Sequence, residues 1–232
     1  MPLKVFPRRD RKLNRLIKKA TSLELRRGQT LYRAGEPATE LFLVRFGHIR
    51  LVSPGPGGEG TPRSLRAPVG SSHPKGKVVA VAGPGELLGE EALLSETPRR
   101  WEALAGEKTR VLVLRGRGTQ QALQTSPKTF QAFLEAKEAE LALARALSAS
   151  RRPGGAKARL GALLLHLGAR MSEKDQKALS IPIALTHQLL ADLSDAHRST
   201  VTTLLNDWIY EGTLKAEGHG LRILKPKALE KG

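Results

Sequence analysis

A glycine–glutamate pair, followed about ten residues later by arginine, is the group of residues in this chain with the clearest chemistry. Gly89 and Glu90 enter a short helical turn, and Arg100 lies near the end of the same segment, 83–101. Backbone amides at such a turn and a guanidinium can bind an anion, and a carboxylate can accept a hydrogen bond from a sugar hydroxyl. The spacing therefore predicts a pocket for a small ligand of the nucleotide class.

A second group of polar residues follows a helical pattern near the end of the sequence. Segment 185–208 has the pattern of two short helices joined by a turn, in which Thr186 caps the first helix and Asp195 occupies the turn. The outer face of the second helix, at about 196–210, suits the major groove of DNA, because Arg pairs with guanine and Ser or Thr contacts phosphates or thymine methyl groups. The predicted DNA contacts are Thr186, His197, Arg198, Ser199, Thr202 and Thr203.

The segment after these two helices predicts a two-stranded wing. Residues 211–224 contain two short strand-like runs that turn around His219. Lys215, His219 and Arg222 would contact backbone phosphate. For the two helices of segment 185–208, the alternative interpretation is a helical hairpin that packs only against a partner protein.

Composition narrows the class of protein. The net charge of +17 over 232 residues favours a polyanionic partner, most often nucleic acid. The absence of cysteine excludes disulfides and cysteine-ligated zinc, and the six histidines show no metal spacing. We find no nucleophile–base–acid set, so we predict no enzyme and no metal site. The sequence lacks an apolar run of membrane-spanning length and a signal peptide, which predicts a cytoplasmic protein without membrane contact.

The Gly-Glu-Arg group lies in a region of short strands, which follows a basic N-terminal segment. Residues 1–20 predict a basic N-terminal arm or helix. Residues 21–125 contain strands broken by Gly and Pro turns, which is typical of a sandwich or roll. Residues 41–52 predict a hairpin around Gly47, and the Pro- and Gly-rich residues 53–77 predict a mobile hairpin insertion.

The elements that position the second group are helices. Residues 126–152 predict a long helix whose apolar stripe can form a dimer seam. Pro153 and the two glycines after it end this helix and form a hinge. The second group of polar residues therefore belongs to a separate C-terminal domain, 153–232.

This order of parts resembles the cyclic-AMP receptor protein/FNR family of bacterial transcription regulators, over about residues 21–226. The resemblance implies an α+β fold with an N-terminal β-roll of the cyclic-nucleotide-binding type, a long dimerisation helix and a C-terminal winged helix-turn-helix. It also implies a homodimer that binds palindromic double-stranded DNA, an effector in each β-roll, and RNA polymerase as a further partner.

The resemblance assigns roles in the pocket residue by residue. In the cyclic-AMP members, the counterparts of Gly89 and Glu90 form the Gly-Glu pair, with the Glu on the ribose hydroxyl. The phosphate arginine corresponds to Arg100, which could instead pair with Glu90 across an empty pocket. Trp101 replaces a small hydroxyl residue of the family.

The adenine contacts of the family also differ in this chain. A Thr-Ser pair on the long helix is replaced by Ala144 and Arg145, so Arg145 is a further pocket candidate. The segment 100–105 looks like the Arg-aromatic pattern of the global nitrogen regulators, which sense 2-oxoglutarate. However, Glu90 and Glu91 would repel a dicarboxylate.

Three effector states therefore stay open at the level of the sequence. The effector is a cyclic-AMP-like nucleotide, or 2-oxoglutarate, or absent because Trp101 fills the pocket. A different class of function also stays open, in which the β-roll regulates a partner protein and the C-terminal part does not bind DNA.

Overall fold

The computed structural model describes residues 15, 17–53, 76–93, 97–127, 130, 131, 134, 155–172 and 178–230. The chain divides into two compact units, Met1–Leu134 and Glu135–Gly232. Most of the predicted arm, most of the insertion and most of the long helix, including Ala144 and Arg145, lie outside the described residues. In the described part of the chain, no helix is long and apolar enough to cross a membrane.

The N-terminal unit contains two antiparallel sheets of four strands each, which confirms the predicted β-roll. Its strands are β1 (Thr21–Leu25), β2 (Thr30–Tyr32), β3 (Glu40–Phe46), β4 (Ile49–Val52), β5 (Val78–Ala82), β6 (Leu87–Leu88), β7 (Glu102–Ala105) and β8 (Thr109–Arg115). One sheet has the order β1-β8-β3-β6 and the other has the order β2-β7-β4-β5. Strands β4 and β5 pair with each other on either side of the predicted insertion.

The predicted hairpin around Gly47 is wrong, because β3 and β4 belong to different sheets. Strand β3 pairs with β6 and β8, whereas β4 pairs with β5 and β7. Gly47 has φ +71°, and a Cβ at this position would lie 2.6 Å from the Thr109 hydroxyl oxygen. The tight turn at Gly47 therefore carries the chain from one sheet to the other. Local alternation predicts a strand but does not identify its partner.

Strand β3 is buried on both faces. Phe42 and Val44 belong to one apolar cluster with residues of the second sheet. Leu41 and Leu43 belong to a second cluster, on which Ile17 of the N-terminal segment packs. Burial on both faces explains why the strand has a nearly continuous apolar sequence.

A short helical turn follows strand β6 of this unit, and a helix follows strand β8. Residues Glu90–Leu93 form the short helical turn that the sequence predicts, as a 3-10 helix. Helix α1 (Gly116–Gln124) was not predicted and packs against that turn and β8. The Gln120 side-chain amide donates to the Leu93 carbonyl oxygen over 3.3 Å. Two glycines in its first turn explain why helix propensity did not reveal α1.

The C-terminal unit is a winged helix-turn-helix, as predicted. Its elements are α2 (Ala156–Met171), β9 (Leu179–Ile181), α3 (His187–Ser194), α4 (Arg198–Tyr210), β10 (Leu214–Glu217), β11 (Gly220–Ile223) and α5 (Pro226–Glu230). Helix α2 buries Leu160, Leu163, Leu164 and Leu167, at helical spacing. The wing strands β10 and β11 pair as predicted, and β9, which the sequence did not reveal, adds a third strand beside β11.

Candidate functional site

The turn between α3 and α4 is built by local capping and by one long-range arginine. The Thr186 hydroxyl accepts from the Leu189 amide over 3.1 Å, and Asp195 adopts the left-handed conformation with φ 52° and ψ 49°. Both sequence predictions are confirmed. Arg159 of α2 donates to the carbonyl oxygens of Ser194 and Asp195 over 2.8 and 2.9 Å, so the last carbonyls of α3 are satisfied.

Ser194 occupies a position where the helix-turn-helix pattern expects an apolar residue. It is fully buried, and its hydroxyl donates to the Leu190 carbonyl oxygen over 2.6 Å. Because that hydrogen bond satisfies the buried hydroxyl, the serine fits the core without a large cost in stability.

The inner face of α4 is apolar and its outer face is polar. Val201, Leu205 and Trp208 are buried. The outer face carries the predicted contacts: His197, Arg198, Ser199 and Thr203 are exposed, and Thr202 is half-buried. The side chain of Arg198 makes no ion pair or hydrogen bond with the described residues, so it is available to an anionic partner.

The wing places Lys215 and Arg222 on adjacent strands and His219 in the turn between them. Lys215 and His219 are exposed, and Lys215 lies opposite Arg222 in the register of the two strands. Arg222 forms an ion pair of 3.1 Å with Glu217, in which both side chains are nearly half exposed. Such a pair is weak in water, so a phosphate could replace the carboxylate.

The Gly-Glu-Arg segment of the β-roll is organised around Arg99, which sequence reasoning missed. Arg99 is buried, and its Nη1 donates to the Gly89 carbonyl oxygen over 3.0 Å. Its guanidinium lies over the rings of Tyr32 and Phe42, 4.3 and 5.4 Å from their centroids. Nη1 also lies 3.5 Å from Glu91 Oε2. At this distance the two groups form an ion pair, but Glu91 Oε2 accepts no hydrogen bond from the described residues.

The candidate Arg100 lies on the surface. Its side chain is exposed, and its backbone amide donates to Glu91 Oε1 over 3.3 Å. Glu90 and Trp101 are half-buried. Consecutive residues of an extended segment point to opposite sides, so only one of the two arginines can point inward, and the sequence does not say which one.

The acidic pair and Arg99 lie close enough to Tyr32 to affect the pKa of its hydroxyl. Burial raises the pKa of Tyr32, the Glu91 carboxylate raises it further, Arg99 opposes this shift, and Glu90 adds a smaller increase. Gly89 has φ +83°, and a Cβ there would lie 2.5 Å from Arg99 Nη1 and 3.1 Å from the Glu40 carbonyl oxygen. Glycine therefore lets the turn approach Arg99 closely.

A second buried polar group of the β-roll also escaped the sequence prediction. His48 is fully buried, with Nδ1 2.8 Å from Glu107 Oε1 and Nε2 3.4 Å from Arg50 Nε. Burial lowers the pKa of His48, although Glu107 acts in the opposite direction. The neutral ring donates from Nδ1 to Glu107 and accepts at Nε2 from Arg50. Gly106 provides the space that the ring occupies.

Two protein-family models match this chain. The cyclic nucleotide-binding domain matches residues 22–126 and the Crp-like helix-turn-helix domain matches residues 158–231. The chain belongs to the cyclic-AMP receptor protein/FNR family of transcription regulators.

A curated relative and two solved structures illustrate the range of the family. The CRP-like cAMP-activated global transcriptional regulator of Mycobacterium tuberculosis is 23% identical over 218 residues, which cover 90% of this chain and 86% of the relative. The structure of FixK2 from Bradyrhizobium japonicum matches with a TM-score of 0.66 at 19% identity and covers 91% of this chain and 96% of its own.

The second structure is the c-di-GMP responsive global regulator CLP of Xanthomonas campestris. It matches with a TM-score of 0.56 at 18% identity, over 91% of this chain and 97% of its own. At these identities the two structural matches support the fold. The Gly-Glu-Arg segment 83–101, which we call the cassette, lies in the cyclic nucleotide-binding domain, and the polar face of α4 lies in the Crp-like domain.

Among the described residues of this CRP/FNR protein, no three His, Cys, Asp or Glu side chains are grouped as metal ligands. The predicted pocket residues Gly89, Glu90 and Glu91 lie in or beside the 3-10 helix. The role of each predicted pocket and DNA residue stays a prediction, including that of Arg145 outside the described residues.

Proposed function

We propose that this CRP/FNR protein is a homodimeric, sequence-specific regulator that places α4 in the major groove of palindromic duplex DNA. The observation that carries the proposal is the outer face of α4, where Arg198 is exposed beside Ser199 and Thr203. A buried apolar face fixes the helix on the opposite side. The net charge of +17 adds a sequence-independent attraction to phosphate.

Two described residues of the predicted dimerisation segment support a dimer. Phe130 and Leu134 are 48% and 49% exposed, and they lie one helical turn apart in sequence. Apolar side chains at this spacing form a stripe that a second copy would cover. The described part of the segment thus fits the proposed seam at 126–152.

The proposed effector is a small anion bound in the β-roll. The Mycobacterium relative is named as activated by cAMP and the Xanthomonas structure as responsive to c-di-GMP, which makes cyclic nucleotides the first candidates. In this chain Arg99 already contacts Gly89 and Glu91. The exposed Arg100 is therefore the arginine that an incoming anion would meet first. A 2-oxoglutarate effector and an effector-free regulator are the alternatives.

The deciding experiment is a binding-site selection with full-length protein and random duplexes, followed by titration at several salt concentrations. A palindromic consensus and a steep loss of affinity with salt are expected. Sedimentation of the free protein as a monomer, or the absence of any duplex affinity at low salt with the candidate ligands present, would contradict the proposal. The latter result would favour the protein-partner alternative for the C-terminal unit. RNA polymerase as a partner rests on the family resemblance, and the cytoplasm as location stays a prediction from the sequence.

The effector is tested separately by thermal unfolding with cyclic AMP, cyclic di-GMP and 2-oxoglutarate. A ligand that binds only the folded protein raises the unfolding midpoint. The absence of a shift with any ligand at millimolar concentration would favour the effector-free regulator. The same titration with Arg100→Ala shows whether the exposed arginine contributes to binding.

A further inference from the structure

A hydrogen bond joins the two helices of the helix-turn-helix, at the side of the α4 face that is predicted to contact DNA. His187 Nδ1, at the start of α3, lies 2.8 Å from the Thr202 hydroxyl oxygen of α4. The same hydroxyl donates to the Arg198 carbonyl oxygen over 2.9 Å. A hydroxyl has one hydrogen, which is used by Arg198. Both hydrogen bonds form together only when His187 Nδ1 carries a hydrogen and donates it to Thr202.

A comparison of the two adjacent threonines shows what this contact does. Thr203 also donates to the carbonyl oxygen one turn earlier, that of Ser199, over 3.3 Å. However, Thr203 is exposed, whereas Thr202 is half-buried and tied to α3. The Thr202 hydroxyl thus has its hydrogen and one acceptor site in use before any DNA approaches.

We propose that His187 is a positioning residue of the DNA interface, which holds the first turns of α4 in register with α3 through the Thr202 hydroxyl. We call this contact the His187–Thr202 latch. The inference rests on the proposed function, because its consequence is a change in base reading. It also assigns Thr202 to the support of α4, and leaves base reading to Arg198, Ser199 and Thr203.

The position of the latch explains why it matters for specificity. The N-terminal residues of a recognition helix contact the base edges, and the latch ends on the carbonyl group of Arg198 itself. A bidentate arginine contact depends on geometry, whereas non-specific attraction depends mainly on phosphate charge. Loss of the latch should therefore reduce specific binding more than non-specific binding.

The test uses the full-length protein, the selected duplex and a scrambled duplex of the same length. His187→Phe keeps a ring but removes the donor, and Thr202→Val keeps the shape but removes the acceptor. Each is expected to lower the ratio of specific to non-specific affinity roughly 3- to 10-fold, the equivalent of one hydrogen bond. The double variant should lose no more than either single variant, because its second change removes a partner that is already lost.

Two further measurements separate positioning from folding. His187→Asn keeps an N–H donor and should restore part of the ratio, while thermal melts report any loss of fold. Gln188→Ala is the matched control, since Gln188 is the next residue of α3 and, among the described residues, its side chain bonds only to Asp192 of the same helix, over 2.8 Å. The ratio of specific to non-specific affinity should not change in this variant. The imidazole ¹⁵N spectrum should show His187 protonated at Nδ1 in the neutral ring, and Thr202→Val should alter that signature.

The possible failures are distinguishable. Additive losses in the double variant, or an unchanged ratio in His187→Phe, would overturn the latch and leave DNA binding intact. Thr202→Val could instead remove the preference for one base of the selected site while the ratio of specific to non-specific affinity is kept. That result would show that Thr202 reads a base. A wild-type protein without any sequence preference would overturn the proposed function and the inference with it.

Discussion

The β-roll cassette and the outer face of α4 both contain an arginine, but the two side chains have opposite environments. Arg99 is 4% exposed and contacts the Gly89 carbonyl oxygen, the Glu91 carboxylate and two aromatic rings. Arg198 is exposed and pairs with no carboxylate among the described residues. A buried guanidinium whose donors are used by the protein is costly to remove, whereas an exposed one can bind another molecule.

This difference bears on how the protein would respond to an effector. Because the inner arginine of the cassette already has protein partners, an anionic ligand must meet Arg100 or displace the Glu91 contact of Arg99. Arg198, the arginine predicted to contact DNA, has no such competitor in the described part of the chain. We therefore expect the two units to react differently to the loss of an arginine.

The largest effect is expected from Arg99→Ala, which should lower the free energy of unfolding by about 3–5 kcal/mol. The substitution leaves the Gly89 carbonyl oxygen without a donor and the largely buried Glu91 without a counter-charge. Urea unfolding of the full-length protein measures the change. Any variant that still folds should keep the base preference of the wild type.

Arg100→Ala is the matched control, one residue away in the same segment. Because its side chain is exposed, its free energy of unfolding should change by no more than about 0.5 kcal/mol. Equal destabilisation by the two substitutions would contradict the assignment of Arg99 as the structural arginine.

Arg198→Ala should have the reverse profile. It is expected to weaken specific binding by about 1–3 kcal/mol and to relax preference at one base pair in each half-site. Its free energy of unfolding should stay close to that of the wild type, because the side chain has no partner among the described residues. Titration of selected and point-substituted duplexes measures the effect. A uniform loss on every duplex would instead assign Arg198 to phosphate.

The sequence predicted the helix-turn-helix around α4 better than the cassette, because the signals for its cap and its turn are local. The Thr186 cap and the Asp195 turn depend on neighbours within a few residues, and both are confirmed. The inward arginine depends on the orientation of an extended segment that pairs with residues far along the chain: the Arg99 amide donates to the Glu36 carbonyl oxygen over 2.8 Å. The strands that pair with β3 and the contact between His187 and Thr202 also lie outside the range of local sequence patterns. The periodicity of the sequence therefore cannot predict them.

The two units should also differ in their response to acid. Burial, with Arg170 as a smaller cause, lowers the pKa of His166 in α2 to about 4. The unfolded chain therefore binds a proton more readily than the folded one, so this stability is present above about pH 6.5 and is lost as pH falls towards 4. In the β-roll, Glu107 partly offsets the same effect at His48.

We expect His166 to contribute about 1–2 kcal/mol of acid destabilisation after solvent screening. His166→Gln should flatten the dependence of the unfolding midpoint on pH between about 6.5 and 4. The measurement is thermal unfolding of wild type and variant across this range. If both lose stability in parallel, another group is responsible for the acid sensitivity.

The smallest effect tests a predicted DNA contact that also serves the fold. Thr186 was predicted both to cap α3 and to contact DNA, and its hydroxyl accepts from the Leu189 amide over 3.1 Å. Thr186→Ala should cost about 1 kcal/mol of folding stability, and Thr186→Ser should restore most of it. If the hydroxyl only caps the helix, the salt dependence and the base preference of DNA binding should be those of the wild type. A weaker salt dependence in the alanine variant, recovered by serine, would show that the same hydroxyl also meets a phosphate, and the separation between folding and recognition residues would then be incomplete at this end of α3.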